Sequence, residues 1–211
     1  MTDQEPARER PSRWNEKAGL LIGACLYIAF WICAARYTPL LPDEANAGNI
    51  ARSLYRGEGW SGLSSTHGYH SVLGLLPLAP LVGAGPGALA VRLPTLLAGA
   101  LCPLLIFLIL KELEAPRVAG YGAASVAIHP MLFEAHRTGT FISFTVLFGL
   151  WSAWKLLAWR RSGKSVDLAS AALAAGLALS AKSMAFNWVV AGFLTGGLAA
   201  LSRRDARRPT G

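Results

Sequence analysis

Charge is scarce in this chain. Only 15% of the 211 residues are Asp, Glu, Lys or Arg, while 53% are hydrophobic, a balance that excludes an ordinary soluble domain. Acid is scarcer still: 12 carboxylates stand against 20 Lys and Arg, for a net charge of +8. The basic residues flank the apolar runs instead of forming one dense stripe. That pattern sets membrane orientation and lipid contact, and it excludes a nucleic-acid partner. Cysteine is nearly absent. Cys25, Cys33 and Cys102 each fall inside an apolar run, so neither a disulfide framework nor a metal knuckle is expected. The four histidines lack metal spacing: His67 and His70 are three apart with no third ligand nearby, and no divalent metal is expected. The chain also has no Gly-rich phosphate loop, no dinucleotide fingerprint and no nucleophile signature.

What the chain does have is long apolar stretches: 18–38, 71–84, 88–110, 118–135, 141–159, 167–182 and 186–201. The first is too long for a signal-peptide core and lacks a small-x-small cleavage site, so it reads as a retained anchor. The run 71–84 is short and broken by Pro77 and Pro80, which suits a re-entrant or interfacial segment better than a span. The positive-inside rule supports this. If 71–84 does not cross, thirteen of the 20 Lys and Arg share one side of the membrane. If it does cross, that asymmetry collapses. The expected fold is therefore all-α, a polytopic transmembrane helix bundle of about six spans. A basic cytoplasmic tail (1–17) precedes a membrane domain (18–201) with an outer loop at 39–87, and a second basic cytoplasmic tail (202–211) follows. The protein is expected in the cell (inner) membrane with both termini cytoplasmic.

With this topology, polar groups from distant parts of the sequence gather at the outer face: Asp43, Glu44, His67, His70, Arg92, Glu134, His136, Arg137 and Lys182. The adjacent carboxylates Asp43 and Glu44 lie where a helix starting near Gly19 leaves a bilayer core of ~30 Å, at ~1.5 Å per residue. Ionisable groups at that depth mark functional sites; equally, Pro42 can open a helix whose first turn favours carboxylates. Residues 43–56 carry a helical period of small and apolar positions flanked by Arg52 and Arg56, with Gly57 and Gly59 to stop it. This reads as an amphipathic helix lying on the membrane surface, whose two arginines contact lipid phosphate or simply snorkel among headgroups. The small-residue series Ala171–Gly176 suits close helix packing.

The stretch Arg36-Tyr37 … Pro42-Asp43-Glu44-Ala45 … Ala51-Arg52-Ser53-Leu54 … Gly57-Glu58-Gly59-Trp60 resembles the first outer loop of polyprenyl-phosphate-sugar glycosyltransferases of the GT-C superfamily. The likeness is to the group that includes the protein O-mannosyltransferases and the lipid A aminoarabinose transferases. Val91-Arg92-Leu93-Pro94, His129-Pro130-Met131-Leu132-Phe133 with Arg137, and Gly176-Leu177-Ala178-Leu179-Ser180-Ala181-Lys182 resemble further family segments in the same order. The resemblance implies transfer of a sugar from a polyprenyl-phosphate donor to an acceptor at the outer face, with inversion at the anomeric carbon. It implies that Asp43, with Glu44 beside it, supplies the base or orients the acceptor. Arg52, Arg56, His70, Arg92, Arg137 and Lys182 are the expected lipid-phosphate ligands. The alternative is a non-catalytic membrane subunit or lipid-binding relative.

Three departures bear on that choice. Relatives carry a second acid about five positions after the arginine matched by Arg137, where this chain reads Phe141-Ile142-Ser143; Glu134 is the nearest substitute. A loop lysine of the family is missing from Gly68-Tyr69-His70-Ser71-Val72-Leu73. Relatives also have about twice as many spans, so the chain is expected to be a first half, truncated or completed by a partner chain.

Overall fold

The structure is a computed structural model and describes residues 13–37, 39–58, 72–84, 87–130, 132, 134 and 142–181. These residues form an all-α bundle; no strand occurs among them. Among the described residues seven helices are bounded, in chain order: α1 (Arg13–Tyr37), α2 (Pro42–Tyr55), α3 (Val72–Ala84), α4 (Ala88–Glu112), α5 (Pro116–Ala127), α6 (Ile142–Ser162) and α7 (Ser165–Ala181). Among them α4 and α6 are long and apolar enough to cross a membrane. Shorter apolar stretches occupy Ala18–Cys33, Val118–Ala127 and Ser165–Ala181.

Large apolar side chains cover the outside, including Leu21 at 66% exposure, Leu173 at 62%, Leu97, Leu101 and Val118. Much of the interior is built of small ones, with a few large side chains such as Tyr27, Trp31 and Leu75 among them: Ala98, Cys102, Ala119, Ala123, Ala127 and the α7 series Ala171, Ala174, Ala175, Ala178 and Ala181. This inverted distribution suits a bundle in lipid, where small residues let helices approach and large ones face acyl chains. The closest approach joins α1 to α5. A β-carbon on Gly19 would fall 2.9 Å from the backbone of Gly120, and one on Gly23 would fall 2.8 Å from that of Ala124. Gly19 and Gly23 form a GxxxG pair, matched four residues apart by Gly120 and Ala124, so α1 and α5 run parallel.

The remaining contacts give the bundle two distinct ends. Arg161, near the end of α6, lies by Glu112 and Glu114 at the end of α4. Lys155 of α6 pairs with Asp167 of α7 at 3.0 Å, and Ser152 Oγ donates to the Ala171 carbonyl at 2.9 Å. We call this the far end. At the near end, Pro39 and Glu44 both contact Arg92, in the second turn of α4. The chain therefore leaves α1 and enters α4 at the same end, and the intervening helix α3 makes no net crossing. At 13 residues, α3 extends only ~20 Å in any case. It packs on α2; Ala47, Ile50, Ala51, Leu75, Leu78, Val82 and Val91 form the shared core, with Phe144 of α6 against it.

One run differs from expectation. The apolar stretch 118–135 is interrupted: α5 stops at Ala127 with a turn at Ile128, and Pro130, Leu132 and Glu134 are helical again beyond the break. Pro130 disfavours helical geometry at His129, so α5 has 12 residues and a length of ~18 Å. The last expected span, 186–201, lies outside the described residues.

Candidate active site at the near end

The site is built on the start of α2. Pro42 occupies the first helical position, where its missing N–H costs nothing. Leu41 has no side chain able to cap, and Glu44 takes over: its Oε2 accepts the Leu41 N–H at 2.7 Å, the glutamate half of a capping box. The helix ends at Arg56 with Gly57 at φ +72°. There Glu58 N–H donates to Ser53 O and Gly57 N–H to Leu54 O, the paired bonds of a Schellman motif that a glycine accommodates without strain. The expected amphipathic helix at 43–56 thus matches the observed Pro42–Tyr55.

Glu44 does more than cap. Arg92 Nε donates to Glu44 Oε1 at 2.8 Å and Arg92 Nη2 to Glu44 Oε2 at 2.8 Å, a bidentate pair. Arg92 Nη2 also donates to the Pro39 carbonyl at 2.9 Å. Exposure is 0% for the Glu44 side chain and 1% for that of Arg92. A buried, fork-to-fork carboxylate–guanidinium pair is strong and directional, and it joins the α1–α2 connection to α4 across 48 positions. Glu44, expected beside Asp43 in the chemistry, is therefore committed to Arg92. Arg92, expected as an outer-face cation for a phosphate, is buried with its charge already met by Glu44. Within α4, Thr95 Oγ1 donates to the Arg92 carbonyl one turn back at 2.8 Å.

Asp43 is exposed at the same end. Arg52 is half-buried and Arg56 exposed, the latter 3.8 Å from Glu58. Asp43 and Arg52 stand about two and a half turns apart and so leave α2 from opposite faces. On the Arg52 face lies a cavity of about 120 Å³ lined by Leu40, Ala45, Gly48, Asn49, Arg52, Val82, Gly87 and Val91, and Asp43 is not among them. Glu134 is exposed, beyond the end of α5. His67, His70, His136, Arg137 and Lys182 lie outside the described residues. No group of acids, histidines and cysteines suited to a metal occurs among the described residues.

Two features were not anticipated in the sequence. Nothing local signals that Glu44 and Arg92 are partners. Asn49 sits one turn before Arg52 on the same face, a spacing that could have flagged it as a second polar group beside the cation.

Residues 78–210 match the model of the dolichyl-phosphate-mannose-protein mannosyltransferase family. The chain belongs to this family. The matched stretch takes in α4–α7 together with Arg92, Arg137 and Lys182, and it begins after Asp43, Glu44 and the rest of α2. No curated protein and no solved structure matches the chain. Membership in a membrane glycosyltransferase family agrees with an exterior of large apolar side chains and with two helices able to span.

Proposed function

We propose that the protein is a multi-pass cell-membrane protein with both termini cytoplasmic, acting in transfer of a sugar from a polyprenyl-phosphate donor to an acceptor at the outer face. Asp43 is the proposed base. Its carboxylate takes the proton of an acceptor hydroxyl or amine as that atom attacks the anomeric carbon. The bond from the sugar to the phosphate oxygen breaks, and the lipid phosphate leaves with its electron pair. A positioned carboxylate lowers the barrier for such a weak nucleophile, and cations must meet the charge that develops on the phosphate. Arg137 and Lys182 are the proposed cations for that task, because Arg92 is spent on Glu44. A partner chain supplying further spans is part of the proposal.

The observation that carries this reading is the division of labour within one dipeptide. Glu44 is buried and locked to Arg92, which fixes the first turn of α2; Asp43, its neighbour, is left exposed and available at the same end. The test is sugar transfer in native membranes, where any partner chain is present. Asp43→Asn should lower turnover by ~10²-fold or more at unchanged protein level, the scale of general-base catalysis. Wild-type turnover in that variant would remove Asp43 from the chemistry.

A second reading, a non-catalytic membrane subunit that keeps the fold, is favoured by Ile142. This residue starts α6 and stands about where the resemblance calls for a second acid. Transfer that is absent from native membranes containing the wild-type chain, and from those lacking it alike, would select this reading.

A further inference from the structure

Arg52 stands apart from the chemistry assigned to Asp43. It is half-buried against a cavity and makes no ion pair with any described residue, whereas Arg92, Lys155, Arg161 and Arg56 each sit by a carboxylate. The cavity lies beside the first turn of α4, where Gly87 and Val91 contribute to its wall. Because α4 is long and apolar enough to span, that turn marks the depth at which the helix enters the bilayer. Leu40, Val82 and Val91 make the rest of the wall apolar. Gly48 closes the floor: a β-carbon there would sit 3.1 Å from the Val91 side chain, so α2 and α4 are already in contact beneath the cavity.

We propose that this cavity seats the phosphodiester head of a bilayer glycerophospholipid, held by the Arg52 guanidinium and the Asn49 side-chain amide. A guanidinium matches phosphate oxygens two at a time, and an amide N–H adds a third donor. The cavity has room for the phosphate alone, and the glycerol and acyl chains extend past its apolar rim into the bilayer. Size separates this seat from the sugar donor's. At about 120 Å³ it falls well below the ~300 Å³ at which small-molecule pockets begin, too small for a sugar together with its phosphate. Position separates them as well, since Asp43 leaves α2 from the opposite face. The bound lipid would hold α2 flat on the bilayer with its acid-bearing end in place.

The test uses the full chain, purified in mild detergent, with native mass spectrometry to count lipid adducts and thermal unfolding to follow stabilisation. Phosphatidylglycerol, diacylglycerol and polyprenyl phosphate are the probes. The wild type should retain phosphatidylglycerol and gain thermal stability from it, and diacylglycerol, which lacks the phosphate, should do neither. Arg52→Ala should weaken phosphatidylglycerol binding by about tenfold or more, the scale of a lost charged hydrogen bond. Arg52→Lys should fall between, and Arg161→Ala at the far end should bind as wild type. Ala45→Leu fills the cavity from an exposed helix position and should also lose the adduct, which covers the case in which Arg52→Ala fails to fold. Asp43→Asn should bind the lipid normally, so the result is independent of sugar transfer. Undiminished phosphatidylglycerol adducts in both Arg52→Ala and Ala45→Leu would overturn the proposal. Retention of polyprenyl phosphate but not phosphatidylglycerol would also overturn it and return Arg52 to the donor site.

Discussion

The two ends of the bundle are held by different physics. At the near end a single ion pair, Glu44–Arg92, is fully buried and doubly hydrogen-bonded, and it links segments far apart in sequence. At the far end no pair is fully buried: Lys155 and Asp167 meet at 3.0 Å with exposures of 24% and 14%, and Arg161, at 60% exposure, sits 3.4 Å and 3.6 Å from Glu114 and Glu112. Cohesion on that side comes instead from backbone touching backbone where Gly19 meets Gly120. Exposed pairs are screened and exchange partners cheaply, while buried pairs hold one geometry at the cost of desolvation. The end that carries Asp43 has the buried pair.

Breaking the near-end pair should have the largest effect on stability. Arg92→Ala leaves Glu44 buried without its partner and should destabilise the protein by ~3–5 kcal/mol, measured as unfolding in detergent. The double change Glu44→Met with Arg92→Met removes both charges and should recover most of that loss. It should still fail to restore sugar transfer, because the orientation of α2 is no longer specified. Equal losses in the single and double variants would mean that packing, not charge, holds this end.

The α1–α5 crossing comes next. Gly23→Leu forces a side chain against the Ala124 backbone, which cannot move aside as a flexible side chain could. Overpacking of this kind costs ~1–3 kcal/mol, read as a fall in Tm. Wild-type stability in Gly23→Leu would show that α1 can separate from α5 without consequence. The smallest effect belongs to the exposed far-end pairs of Arg161. Arg161→Ala should change stability by ~0.5 kcal/mol or less, and raised salt should abolish even that difference. A large, salt-independent loss would erase the contrast between the two ends.

Much of this architecture is legible in the sequence because it is local. Pro42 and Gly57 bracket an amphipathic period, and α2 runs between them. The run 71–84 is short, and α3 has 13 residues, continuous through Pro77 and Pro80. Other features are not legible in this way. The run 118–135 is mostly apolar, yet α5 ends at Ala127, because a hydropathy pattern does not register the backbone restriction that Pro130 imposes on His129. The GxxxG pair Gly19–Gly23 is visible as a motif, but only the fold identifies Gly120 and Ala124 as what it meets. Asp43 and Glu44 look equivalent as neighbouring acids in a loop.

By itself, then, the sequence determined an all-α chain for a lipid environment, the limits of α2 and the place of two carboxylates at one end of the bundle. Composition, periodicity and turn chemistry act over a few residues, so they can be read in one dimension. Only the tertiary structure decided that Glu44 belongs to Arg92, that Asp43 is left exposed, and that Arg52 faces a separate cavity on the opposite side of α2. Those outcomes depend on which groups meet across 48 positions of chain and on which of them water is kept from, and neither follows from spacing along the sequence.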